Sequence, residues 1–128
     1  MVDASAMLEV LLNTPAGERI AERLFRRGET LHAPHLLDLE VAQVLRRYTV
    51  SGDLESQRGK QALEDLVDLP LSRYPHDVFL SRIWELRDNL TAYDAAYVAL
   101  AEVLEAPIVT RDRALASPRI HRATVELI

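Results

Sequence analysis

The chain has 128 residues, 48% of them hydrophobic and 27% charged, which suits one domain with its own core and excludes a low-complexity chain. Its 15 basic and 20 acidic residues leave a net charge of −5, which argues against binding nucleic acid by charge alone. The lack of cysteine excludes disulfides, thiol catalysis and Cys-ligated metal, and no apolar run approaches the roughly 20 residues that cross a bilayer. Asp3 stands near the start and no basic region precedes an apolar one, so no secretory signal is expected and a cytoplasmic protein is. Lys60 is the only lysine; every other basic residue is arginine, the better phosphate fork. A bias in genome composition gives the same pattern.

Met1-Val2-Asp3-Ala4-Ser5 reads as the end of a strand running into a helix, with Ser5 as N-cap for Ala6 to Leu12. Thr14-Pro15 supplies an N-cap and a proline at the first helical position. That helix should run to about Arg27, with Ile20, Leu24 and Phe25 on its apolar face, and stop at Gly28. Thr30 to Ala33 is a short second strand, and Pro34 begins the next turn. His32 and His35 flank that turn without ligand partners at useful spacing, so they read as structural.

His35 to Val50 is a long helix whose apolar face is Leu36, Leu37, Val41, Val44, Leu45 and Tyr48. Glu40 falls in the middle of that face, four residues after Leu36 and four before Val44, whereas Asp38 points elsewhere. Leu54 to Leu69 is another amphipathic helix, carrying Leu63, Leu66 and Val67 and closed by Pro70. Leu71 to Tyr74 is a weak third strand. Pro75 then opens a helix to about Arg87 that buries Val78, Phe79, Ile83, Trp84 and Leu86.

The stretch from Asn89 to Leu115 is the most informative. Thr91 is a good N-cap, with Asp94 where a capping-box acid stands, and the mostly apolar helix that follows ends at Ala106-Pro107. Ile108-Val109-Thr110 is an interior strand, and Asp112 lies just beyond its carboxyl end. His121 to Leu127 alternates as a final edge strand. Short strands separated by helices predict an α/β fold, a single domain over residues 1–128 with a parallel sheet covered on both faces.

Taken singly, Asp94 reads as a capping residue and Asp112 as the N-cap of Arg113-Ala114-Leu115. The case for chemistry rests on convergence. In such sheets the crevice lies beyond the carboxyl ends of the strands, where the strand order reverses. If the strands ending at Asp3 and before Asp112 are neighbours there, their carboxylates face each other, with Glu40 and Asp94 arriving from helices. Four acids together repel unless a cation neutralises them, and hard oxygen ligands without His or Cys select Mg²⁺ or Mn²⁺. That is the logic of a metal-assisted phosphodiester hydrolase. Removing the four acids leaves 15 − 16 = −1, so the net acidity sits largely in this site.

The blocks MVDASAMLEVLL, APHLLDLEVAQVLRR, RDNLTAYDAAYVALAE and IVTRDRAL resemble the PIN-domain family, in particular the VapC toxins of bacterial toxin–antitoxin pairs. The resemblance runs over essentially the whole chain, and its third block is the most specific. It implies a PIN-like three-layer α/β/α fold around a short parallel sheet of four to five strands, and a metal-dependent endoribonuclease. Asp3, Glu40, Asp94 and Asp112 would be the catalytic acids that bind one or two divalent ions. Ser5 and Thr110 would supply supporting hydroxyls. A homodimer and a small VapB-like antitoxin are also implied. The chemistry does not use the 2′-hydroxyl, so RNA rather than DNA follows from the resemblance. Arg46, Arg47, Arg87, Arg111 and Arg113 are candidates for the RNA backbone, with solvated-face arginines as the alternative. Two positions depart from the pattern. The first strand looks clipped by one or two apolar residues, and Gln43 stands where many relatives carry Asn.

Other acid-rich folds fit less well. A receiver domain needs a lysine at a strand end, and Lys60 lies in a helical region; a haloacid-dehalogenase-type phosphatase needs Asp-x-Asp, which Asp3-Ala4-Ser5 lacks. The alternative function is a PIN-fold module that binds an antitoxin and operator DNA without nuclease activity, which would not need all four acids.

Overall fold

A computed structural model describes residues 1–117 and 121–128. Two parallel strand pairs form the middle layer. β1 (Leu31–Pro34) pairs with β2 (Leu71–Tyr74), Leu31 standing opposite Leu71, and β3 (Ile108–Thr110) pairs with β4 (Val125–Leu127), Ile108 opposite Val125. The N-terminal segment Met1–Asp3 joins them. Val2 N donates to His32 O at 3.1 Å, Val109 N donates to Met1 O at 2.9 Å, and Val2 makes a parallel bridge to Val109. The spatial order is therefore β2, β1, N-terminal segment, β3, β4. The chain builds outward on one side and then on the other, so the order reverses between Met1–Asp3 and β3, which meets the condition the sequence left open. This N-terminal segment bridges at one residue only and is too short to count as a full strand.

Among the described residues, six α-helices flank the sheet: α1 (Ala4–Leu11), α2 (Pro15–Leu24), α3 (Leu36–Val50), α4 (Ser56–Asp68), α5 (Leu80–Glu85) and α6 (Ala92–Leu104). α6 is the central one, with every residue from Ala95 to Ala101 buried. Its small side chains let neighbours approach on most sides. Thr91 caps its start, accepting from Asp94 N at 3.2 Å, and Glu105 ends it in the left-handed region at φ 51°, ahead of Pro107. α1 and α2 also touch closely at Gly17, where an added Cβ would sit 2.1 Å from Glu9 O. No helix among the described residues is long and apolar enough to cross a membrane.

Several local expectations need correction. The N-cap of α1 is Asp3, whose Oδ1 accepts from Ala6 N at 3.0 Å; the helix begins at Ala4, so Ser5 lies inside it. Pro34 is the last residue of β1, because His35 N rather than Pro34 donates to Tyr74 O. α2 ends at Leu24, and Phe25, its C-cap, is largely exposed. The predicted helix from Pro75 to Arg87 splits into a 3₁₀ turn over Asp77–Phe79 and the short α5. Only its stripe at Phe79, Ile83 and Leu86, spaced i, i+4, i+7, packs inward against α6. Val78 and Trp84 lie off that stripe and face outward, Trp84 at 68% exposure. Val67 is turned out of α4 in the same way, about 100° round from the buried Leu66. Tyr48 is also largely exposed. The final strand is confined to Val125–Leu127, and residues 118–120 lie outside the described part.

Candidate active site

The site is built on Asp3, which leaves the N-terminal segment with an extended backbone (φ −98°, ψ 173°) and is only 5% exposed. Its Oδ1 accepts from Ala6 N at 3.0 Å and from Ser5 Oγ at 2.7 Å, and its Oδ2 accepts from Thr110 Oγ1. Thr110 is fully buried at the end of β3, and its Oγ1 also accepts from Asp112 N at 2.9 Å. Ser5 Oγ accepts from Arg111 N at 3.0 Å and stands 3.3 Å from Thr110 Oγ1. The two supporting hydroxyls expected from the sequence therefore do meet on Asp3. Burial pushes the Asp3 carboxyl above its ordinary value, its three hydrogen bonds oppose that rise, and the charge of Asp112 adds to it.

Asp94 arrives from the first turn of α6, which runs against the sheet direction and so presents its N-terminus at the strands' carboxyl ends. Burial raises its pKa, and the charges of Asp112 and Asp3 raise it further against the Thr91 hydrogen bond. Glu40 arrives from α3, which starts directly after β1. Its pKa is raised by burial, opposed by a hydrogen bond from Tyr97, and raised again by the charges of Asp94 and Asp3. Asp3, Glu40, Asp94 and Asp112 thus share one electrostatic neighbourhood at the point where the strand order reverses. Asp112 also serves the local role open to it in sequence: its Oδ1 accepts from Ala114 N at 2.8 Å. Asp38 points away, as expected, and pairs with Arg73 at 2.7 Å.

Tyr97 went unnoticed in the sequence. It is 1% exposed, and its hydroxyl donates to Glu40 Oε1 at 2.7 Å. Burial first, and the Glu40 charge second, push its phenol far up, so it acts as a donor. The available signal was a tyrosine inside an otherwise apolar helix, since a buried phenol hydroxyl requires a partner.

Glu40 and Ser5 line a groove of about 620 Å³ between α1 and α3, together with Gln43, Arg47, Tyr93 and Arg111. Leu8, Leu36, Leu39 and Val44 give the groove an apolar flank. Of the candidate arginines, Arg47 and Arg111 border it, and Arg111 is already engaged, donating to Ile128 O at 2.8 Å with Glu9 at 3.8 Å. Arg87 instead lies over the Trp84 ring at 4.6 Å, and Arg46 and Arg113 are exposed away from the lining. His32 is structural as expected, held between Thr30 and Tyr74.

Among the described residues, no three acidic or histidine side chains stand close enough together to hold a metal ion as placed. Both Asp3 oxygens face protein donors, and one Glu40 oxygen faces Tyr97. The donor set still fits a hard divalent cation. It is all oxygen, its acids raise one another's pKa, and a carboxylate with about four lone-pair sites keeps room for a ligand beside its hydrogen bonds.

Comparison with known proteins bears on the family and the fold. The family model described as PIN domain matches residues 1–120. The chain is 41% identical to Ribonuclease VapC12 of Mycobacterium tuberculosis over 128 residues, spanning 100% of this chain and 98% of that one. It is 45% identical to VapC ribonuclease Mb0985 of Mycobacterium bovis over 112 residues, covering 88% and 84% of the two chains. Among solved structures, PAE2754 from Pyrobaculum aerophilum matches with a TM-score of 0.74 over 97% of this chain and 80% of that one; at 21% identity this likeness speaks to the fold alone. With the order reversal at Asp3, the acids around it and relatives aligned over nearly their whole length, the chain belongs to the PIN-domain family, within its VapC ribonuclease group.

Proposed function

We propose that this chain is a metal-dependent endoribonuclease, the toxin of a toxin–antitoxin pair, that hydrolyses phosphodiester bonds in RNA. One observation carries the reading: Asp3, Glu40, Asp94 and Asp112 converge at the crevice where the order of a parallel sheet reverses, close enough that another site acid's charge adds to burial in raising Asp3, Glu40 and Asp94 from their ordinary values. The ribonuclease names of its relatives give the substrate class.

Mg²⁺ or Mn²⁺ held by Asp3, Glu40, Asp94 and Asp112 would polarise the scissile phosphate and lower the pKa of an attacking water. The protein's part is to hold the acids in place. Asp3 enters fixed by Ser5, Thr110 and Ala6 N, so little rotamer freedom is lost on binding. Asp94 sits in the first turn of α6, where the helix dipole opposes part of the rise in its pKa that burial and the Asp112 charge cause. Glu40 keeps Oε2 without a donor among the described residues, available to a cation or to orient the water. Arg47 and Arg111 on the groove provide charge for the phosphate backbone.

The partners follow from the same reading. A VapB-like antitoxin lays an amphipathic segment on the apolar flank of the groove and aims an arginine at the acids. The toxin acts in the cytoplasm as a homodimer of one-domain chains. Purified protein should cleave RNA with Mg²⁺ or Mn²⁺ and stop in EDTA, and Asp94→Asn should be inactive. Undiminished cleavage in chelator overturns the mechanism.

A further inference from the structure

We propose that Tyr97 is a positioning residue for the reaction: its hydroxyl holds Glu40 by Oε1, so that Oε2 alone is presented to the cation and the water. This rests on the reading of Glu40 as a site acid. A buried tyrosine hydroxyl needs only an acceptor nearby, and most side-chain hydrogen bonds go to backbone or water rather than to another side chain. Here the acceptor is a half-buried carboxylate on another helix, 57 residues away in sequence, and that carboxylate lines the groove beside Ser5.

Tyr97 also stands three residues after Asp94 on α6, a spacing that puts both on one face of the helix. One rigid, buried helix therefore sets two acids at once, Asp94 directly and Glu40 through the phenol. Without the tether, Glu40 would regain rotamer freedom along its side chain. The charges of Asp94 and Asp3 would then drive it outward until a cation drew it back. The hydrogen bond thus offsets part of the ordering cost of metal binding before the metal arrives.

Tyr97→Phe keeps the ring and its packing and deletes only the donor. Mn²⁺ affinity, read by calorimetry on metal-free protein, should fall about 10- to 100-fold, the range seen when a group orienting a metal ligand is lost. The Mn²⁺ concentration for half-maximal cleavage should rise by the same factor while KM for RNA changes little, and the melting temperature in EDTA should fall by several degrees, because a buried hydrogen bond to a carboxylate is lost. Placed in a Glu40→Gln background, Tyr97→Phe should cause no further loss of Mn²⁺ affinity. If Glu40→Gln cleaves and binds Mn²⁺ like the wild type, the reading of Glu40 falls. If Glu40→Gln is inactive but Tyr97→Phe binds Mn²⁺ as the wild type does, the tether alone is overturned. A second measurement leaves the core untouched. In wild-type protein carrying ¹³C at tyrosine Cζ, the Tyr97 signal should move on adding Mg²⁺ and stay fixed in Glu40→Gln. A signal that ignores Mg²⁺ in the wild type overturns the proposal even if Tyr97→Phe does not fold.

Discussion

Thr110→Val tests how much of the site depends on one hydroxyl. Valine fills nearly the same volume, so no cavity opens in the fully buried end of β3. What disappears is a donor to Asp3 Oδ2 and an acceptor for Asp112 N. A hydrogen bond to a buried charged group contributes about 1.5–3 kcal/mol, and the Asp112 amide, partly exposed and able to find water, adds less. A loss of about 3 kcal/mol follows, which for a domain of this size lowers the melting temperature by roughly 12 °C. The sign of its pH dependence is fixed by Asp3. The lost donor favoured the ionised carboxylate, so the deficit is largest at neutral and alkaline pH. It shrinks as the pH falls through the raised folded-state value and Asp3 takes up a proton. Mn²⁺ affinity should fall about 10-fold, because Asp3 Oδ2 would lose the group that orients it while Oδ1 stays held by Ser5 and Ala6 N. Thermal melts in EDTA from pH 4 to 8, with calorimetry at neutral pH, read both effects, and Thr110→Ser, which keeps the hydroxyl, is the control. A valine variant that melts within about 2 °C of wild type at pH 8 and binds Mn²⁺ equally well would show that Asp3 does not depend on this contact.

Asp94→Asn should be inactive yet melt at or above wild type in EDTA at pH 8, where the native state strains against an ionised Asp94 raised by burial and by the charge of Asp112. Since a raised folded-state pKa makes stability fall as pH rises from the ordinary 3.8 through the raised value, the variant's advantage should vanish towards pH 4. Mg²⁺ should reverse the order at pH 8, because only the wild type gains by binding it; a variant that melts lower in EDTA at pH 8 would make Asp94 a helix cap first. Gly17→Ala sets two effects against each other: helix propensity favours alanine by about 1 kcal/mol, but the new Cβ would press on Glu9 backbone at 2.1 Å and force α1 away from α2. A drop of several degrees in the melting temperature, with weaker cleavage as α1 carries Asp3 and Ser5 out of register, is expected, and a melt at or above wild type would show that propensity wins.

The elements that govern themselves were legible in the sequence. The Thr91 cap, the small-residue run of α6, its stop before Pro107 and the β-branched strand Ile108–Thr110 all form where local propensity puts them. Glu40 on the inner side of α3 and the turn of Asp38 away from that face followed from helical periodicity alone. Periodicity gives the direction of a stripe but not its width, and so Phe25, Val67, Val78 and Trp84 were assigned to a buried face although they are exposed. How far an apolar face is buried depends on which element packs against it, and that element is remote in sequence. The same limit applies at the site. Asp3 and Ser5 are both good N-caps, and only the placement of Val2 between His32 and Val109 decided that Asp3 caps α1 while also accepting from Thr110. Tyr97 could be seen to share a face with Asp94, but its bond to Glu40 required α3 and α6 to be packed together. Propensity and spacing act over a few residues; the meeting of four like charges is fixed by strand order, which only the folded chain sets.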